Sequence, residues 1–126
     1  MKMARLTWLI LSIAMVVPGQ KKPDLQVLEL KAKRTPRQLT LDGRVRVSAP
    51  KAIRGLTIAF DFLSNDGAVL TTEKTKVDED VLAPGAESAI HTETDSPPGA
   101  VRVRLRASDF REHELSMGNA GPFAIE

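Results

Sequence analysis

The sequence predicts an all-β fold, an antiparallel β-sandwich of seven or eight strands, and three observations point to it. Short segments alternate apolar and polar residues with period two. Turn signals built on Gly, Pro, Asn and Asp interrupt them at intervals of about ten residues. After the first twenty residues no apolar pattern repeats with helical period.

The first twenty residues stand apart. Lys2 and Arg5 precede Leu6 to Val17, which is almost wholly apolar, and Pro18, Gly19 and Gln20 end the run. A basic start, an apolar centre and a small-residue end make the layout of a secretory signal peptide. The competing reading is a membrane anchor. The apolar run is short of the roughly 20 residues a spanning helix needs, which favours the cleaved signal. Val17 and Gly19 supply small residues for cleavage before Gln20. The expected organisation is a signal peptide at 1–20 and one domain at 21–126, in the periplasm or the medium. Membrane contact is then confined to the signal segment before cleavage. The chain has no cysteine, so no disulfide or thiol-linked lipid supports the exported domain, and its core must hold it alone.

Within the domain, Lys21 to Asp24 lead into Leu25–Lys33. There Leu25, Val27 and Glu29 fall on one side and Leu28, Leu30 and Ala32 on the other. This reads as a strand, at an edge given its lysines. Arg34-Thr35-Pro36-Arg37 turns the chain. Leu39 and Leu41, then Val45 and Val47, form the next strand, with Arg44 and Arg46 pointing oppositely. Asp42-Gly43 in its middle is a hairpin turn or a bulge. The shortness of Leu39-Thr40-Leu41 favours the bulge.

Ala49 to Ala52 connect to the strongest strand, where Leu56, Ile58, Phe60 and Phe62 share one face. Asn65-Asp66-Gly67 is a hairpin turn signal, and Val69 to Thr75 returns as a β-branched strand. Val77 to Val81 is acidic. Leu82-Ala83-Pro84-Gly85 is a tight turn, with Pro presetting φ and Gly free to take positive φ. Glu87 to Thr94 follows, with Ser88, Ile90 and Thr92 on one face. After Ser96-Pro97-Pro98-Gly99, Val101, Val103, Leu105 and Ala107 alternate with Arg102, Arg104 and Arg106. Phe110 to Leu115 reads as a weak strand, and Phe123 to Glu126 as a last short one.

Removing Lys2 and Arg5 with the signal leaves 16 basic and 16 acidic residues, so the exported domain is formally neutral. The charge is unevenly placed. Residues 21–54 carry ten Lys/Arg against three Asp/Glu, and residues 55–100 carry two against nine, a split of +7 and −7. Either the two segments pack together with their charges facing, which is the usual fate of charge runs, or a bipolar surface docks a charged partner.

The residues offer little for catalysis or metals. His91 has Glu93 two residues on, and His113 lies between Glu112 and Glu114, without the convergent spacing of a metal site. Ser64, Ser88, Ser96, Ser108 and Ser116 lack a nucleophile-elbow context. Asp78-Glu79-Asp80 reads as a flexible acidic loop. It lacks the Gly and terminal Glu of a calcium-binding loop. Arg102, Arg104 and Arg106 are the conspicuous feature, a row with side chains about 6.6–7 Å apart along one strand face. They either recognise a carboxylate or phosphate polymer, or pair across strands with acidic residues such as Asp61. If they are solvated, reversing all three to Glu leaves the fold intact. Nucleic acid is disfavoured, since the exported part has no Trp or Tyr to stack on bases and no net positive charge.

Gly43-x-Val45-x-Val47, the strand ending Phe60-Asp61-Phe62, Asp66-Gly67-x-Val69-Leu70 and Leu82-x-Pro84-Gly85 follow one another in an order that resembles FxLYD-type bacterial immunoglobulin-like domains. The resemblance covers roughly residues 39–107. The chain departs from the family in having Ser48-Ala49-Pro50 after the Gly-x-Val strand and no tyrosine in Phe60-Asp61-Phe62-Leu63. The resemblance implies an immunoglobulin-like sandwich outside the cytoplasm, with no active-site residues to carry over. The expectation is therefore a non-enzymatic module with no cofactor, whose partner is an unknown protein or envelope component. The alternative is a binding module that holds an anionic glycan or lipid on Arg102, Arg104 and Arg106.

Overall fold

The computed structural model describes residues 22–126, so the signal-peptide reading of residues 1–20 lies outside the described residues. The described residues are all-β, with no helix. In chain order the strands are β1 (Leu25–Arg34), β2 (Gln38–Val47), β3 (Ile53–Arg54), β4 (Thr57–Leu63), β5 (Val69–Lys76), β6 (Val81–Leu82), β7 (Glu87–Asp95), β8 (Arg102–Ser108), β9 (Glu114–Leu115), β10 (Met117–Gly118) and β11 (Phe123–Ala124). One sheet runs β10-β1-β2-β7. The other runs β11-β8-β4-β5, with β9 also on β8, and β3 pairs with β6 as a small third ladder. Packed face to face, the two main sheets make an immunoglobulin-like sandwich.

Period-two alternation decides which residues fill the space between them. Leu39, Leu41, Val45 and Val47 of β2 meet Ile58, Phe60 and Phe62 of β4 and Val103, Leu105 and Ala107 of β8, all buried. Ile58, Phe60, Phe62, Val103 and Leu105, the inward residues of the two strongest predicted strands, thus form the centre of the core. Ser88 is a buried polar member. Its hydroxyl donates to Glu79 Oε1 at 2.7 Å. The 78–80 stretch is therefore tied down, where the sequence suggested a flexible loop, and the Gly55 amide further fixes it by donating to Asp80 O at 2.9 Å.

Three expectations need correction. The predicted bulge is not at Asp42-Gly43, which continue the ladder opposite Lys31 and Leu30. It lies on the partner strand. Val27 pairs Val45 and Glu29 pairs Arg44, leaving Leu28 as the extra residue. The bulge shifts the phase of β1, so Leu25, Val27 and Ala32 all reach the core although their spacing splits them between faces. Second, β1 is not the edge. The C-terminal segment runs beside it, through β10 at Leu25 and Gln26 and again through Ile125 opposite Ala32. Third, only Glu114–Leu115 of the predicted Phe110–Leu115 strand joins a sheet. Asp109 to His113 form a tight turn instead. The C-terminal segment closes one side of the sandwich, because β10 belongs to the first sheet and β11 to the second.

The β4–β5 hairpin turns as its sequence predicts. The Gly67 amide donates to Ser64 O at 2.9 Å, and Gly67 has φ 87. A β-branched residue is strained there, so Gly67→Val is expected to cost about 1–2 kcal/mol. Asp66→Ala removes an exposed carboxylate that accepts from the Ser64 hydroxyl, and it is expected to cost less than the strained valine. Chemical denaturation of both variants checks the order, and an equal loss would contradict the turn geometry.

Candidate functional site

The arginine row lies on the outer face of the second sheet, as its alternation requires. Across the β4–β8 ladder Arg104 is opposite Asp61, Arg106 opposite Ala59 and Arg102 opposite Leu63. Two of the three are committed to Asp61. Arg106 forms a fork, with Nε donating to Asp61 Oδ2 at 2.7 Å and Nη2 to Oδ1 at 2.9 Å. Arg104 Nη2 donates to Oδ2 at 3.1 Å, and the Thr72 hydroxyl on β5 donates to Oδ1 at 2.7 Å. Arg102 reaches instead to the Asn65 carbonyl at 3.2 Å. Arg104 and Arg106 are thus held by the cross-strand pairing that the sequence raised as one of its two readings, and Asp61 is only 2% exposed. The condition under which reversing all three arginines would spare the fold, solvated side chains without a buried partner, is not met for Arg104 and Arg106.

The Arg106 hydrogen bonds, then those of Thr72 and Arg104, hold the Asp61 carboxyl down at about 2, against the opposing effect of burial. A carboxyl whose folded value is depressed stabilises the fold above its unfolded value, near 3.8, and loses that contribution as pH falls through its folded value. The domain is therefore expected to lose about 2 kcal/mol from this group between roughly pH 4 and pH 2. Acid titration of the unfolding free energy checks this. Asp61→Asn should flatten that part of the profile.

The charge split of the sequence is partly resolved inside the first sheet. Arg44 and Arg46 on β2 meet Glu87 on β7 at 3.6 and 3.0 Å. His91 Nδ1 lies 2.5 Å from Asp42 Oδ1 and its Nε2 lies 3.5 Å from Glu93. The bond to Asp42 raises the His91 pKa, with a further contribution from Glu93. His113 has Asp109 as its carboxylate neighbour, at 3.8 Å. Among the described residues no group of three or more His, Cys, Asp or Glu is placed to hold a metal ion.

A second feature was not legible as a site. Phe110 is 56% exposed, more than any other large apolar side chain among the described residues. It is nevertheless fixed. Asp109 Oδ1 accepts the amides of Arg111 and His113 at 2.9 and 3.0 Å. The Glu112 amide donates back to Asp109 O, and Glu112 takes a left-handed φ of 63. The His113 and Arg111 amides lower the Asp109 pKa and keep the turn's acceptor ionised. The Phe110 amide donates to Arg54 O at 2.9 Å, docking the turn on β3. A Cβ on Gly55 would lie 2.7 Å from Phe110 Cβ, so glycine is what allows this approach. The guanidinium carbons of Arg54 and Arg111 lie 5.9 and 5.2 Å from the ring centroid, within cation–π range.

Phe110 separates two grooves. One, of about 550 Å³, lies on the arginine side and sets Lys74, Lys76 and Arg106 against Asp109, Glu112 and Glu114. The other, of about 420 Å³, is lined by the apolar Pro50, Ile53 and Leu115 and by two cations, Lys51 and Arg54, with two carboxylates, Asp24 and Asp109. Phe110, Arg54, Arg111 and Lys51 are the residues the sequence reading missed. The one local signal was a lone Phe between Asp109 and a run of charged residues.

No protein-family model and no curated protein matches this sequence. Solved structures match its fold. A β-glucuronidase from glycoside hydrolase family 2 superposes on 81% of this chain with a TM-score of 0.56 and 12% identity, and the chain spans only 13% of that enzyme. IrmA from Escherichia coli superposes on 85% of this chain and 99% of its own length, with a TM-score of 0.52 and 13% identity. At these identities the likeness is one of fold alone.

Proposed function

We propose that this chain is an extracytoplasmic, non-catalytic β-sandwich module of the FxLYD type, which works by holding a partner protein or envelope component, and that the Phe110 corner is its contact surface. One observation carries the reading: a large aromatic side chain is presented to solvent on a turn locked by four hydrogen bonds that Asp109 makes to residues 111–113. Order without burial gives a recognition residue low entropy cost on binding, and aromatic and arginine side chains are favoured contact anchors. The address rests on the basic-apolar-small layout of residues 1–20. The non-catalytic reading is supported by Asp61 and Asp109, whose carboxylates are engaged by structural donors.

The experiment is affinity capture from an envelope extract with the wild-type chain and Phe110→Ala in parallel. A partner held by the wild type is expected to be lost by the variant, while the variant's melting temperature stays unchanged within error. Identical captured sets would overturn the reading. The alternative, an anionic glycan or lipid on Arg102, Arg104 and Arg106, is less well supported. Asp61 already engages two of these arginines, and the adjoining groove balances three cations with three carboxylates.

A further inference from the structure

We infer that two copies of this chain pair edge to edge through β7, antiparallel about a two-fold axis, with His91 of each copy opposite Glu93 of the other. The pairing is independent of the contact at Phe110. Strand addition at a sheet edge is a general mode of association, and β-proteins defend their edges against it with short strands, bulges, lysines and inward charges. Among the described residues β9, β10 and β11 are two residues long. The edge strand β5 is defended. Glu73 lies opposite Phe60 and so on the inner face, Lys74 and Lys76 stand exposed, and a bulge breaks the register between Phe62 and Leu63. The edge strand β7 has none of these devices. Its nine residues keep one register with β2 throughout. It contains no Pro, Gly or Lys, and its inner face carries only Ser88, Ile90, Thr92 and Thr94.

The backbone limits the registers open to a second copy. The Val47 amide donates to Ala86 O. By antiparallel alternation Ser88, Ile90, Thr92 and Thr94 then bond to β2, and Ala89, His91, Glu93 and Asp95 turn their N–H and C=O groups to the free side. Hydrogen-bonded pairs across the new edge join residues of this second set. An axis through Thr92 sets His91 opposite Glu93 twice and Ala89 opposite Asp95, with no like charges facing. The neighbouring registers each set like charges opposite one another: Glu87 on Glu93 with the axis at Ile90, His91 on itself, or Glu93 on itself. Charge complementarity of the strand with its own copy thus selects one register. That register also continues a row already present in the first sheet. Lys31, Asp42 and His91 lie opposite one another across β1, β2 and β7, and Glu93 of the second copy follows with the sign reversed. Asp42, then Glu93 of its own strand, raise the His91 pKa, while Arg44, the other charged neighbour on β2, is engaged by Glu87. On the inner face Thr92 meets Thr92 and Ile90 meets Thr94, β-branched pairs that extend the sheet.

Single-cysteine variants test the register. Across the axis the two copies of Thr92 form a non-hydrogen-bonded pair, with Cα atoms about 4.5 Å apart, within disulfide reach, and the chain has no cysteine of its own. Under mild oxidation Thr92→Cys is expected to give a disulfide-linked dimer. Thr94→Cys, whose two thiols this register holds roughly 13 Å apart along the strand, is expected to stay monomeric. Sedimentation velocity of the exported chain, from roughly 10 µM to 1 mM, is expected to show a wild-type dimer that strengthens as pH falls from about 8 to 6 and His91 gains its proton. Glu93→Lys is expected to raise the Kd about tenfold or more with the melting temperature unchanged. The exchanged pair His91→Glu, Glu93→Lys is expected to restore association and to remove its pH dependence over that range. A wild type that stays monomeric throughout, cross-linking of Thr92→Cys no greater than that of Thr94→Cys, or a dimer indifferent to Glu93→Lys overturns the inference. So does a dimer that is lost in Phe110→Ala, which would place the contact between copies at the other corner.

Discussion

Reversing Arg102, Arg104 and Arg106 to Glu together is expected to unfold the domain. Asp61 lies at 2% exposure and is neutralised by Arg104 and Arg106. Removing a partner of a buried charge costs about 3–5 kcal/mol, and here both partners leave and three carboxylates arrive on the same face. Two such losses fall within the whole stability of a typical domain, about 5–15 kcal/mol. Arg102→Glu alone should cost no more than about 1 kcal/mol, since Arg102 bonds only to the Asn65 carbonyl. Circular dichroism of the triple variant decides the matter, and a natively folded spectrum would mean that Asp61 does not depend on the row.

Phe60→Ala is expected to cost about 3–5 kcal/mol, the range for truncating an aromatic core residue. Phe60 is fully buried between the sheets, opposite Leu105 on one side and Glu73 on the other. No disulfide constrains the unfolded chain, so this loss acts directly on a core that stands alone. Urea denaturation measures it. A loss under about 1 kcal/mol would contradict the inward register of β4.

These two residues mark what was legible in the sequence. Phe60 announces its burial by position, since Ile58 and Phe62 share its face at period two and the following Asp-Gly fixes the hairpin. Asp61 was legible as a partner of the arginine row because an acidic residue on the outer face of one strand suits three arginines on another. Leu28 was not, because a bulge depends on the register between two strands and leaves no mark in either alone. The two-residue strands were equally hidden. Met117–Gly118 and Phe123–Ala124 pair with segments distant in sequence, and no local pattern encodes such partners. Phe110 was misread for a different reason. The charged and apolar residues from 110 to 115 suggest a strand, but Asp109 captures the amides of residues 111 and 113 with its side chain and drives Glu112 to a left-handed φ that glutamate rarely adopts. A side chain competing for backbone donors overrides the alternation, and a residue expected at a strand's start becomes an exposed ridge.

The central claim is that the module holds its partner at that ridge. Site-specific photocrosslinking tests it most directly. The photoreactive amino acid p-benzoylphenylalanine replaces Phe110 in one preparation and Lys33, at the opposite end of β1, in another, and each is irradiated in the envelope extract. Covalent adducts of defined mass at position 110, absent at position 33, are the predicted result. Adducts at neither position, or at both alike, would contradict the claim.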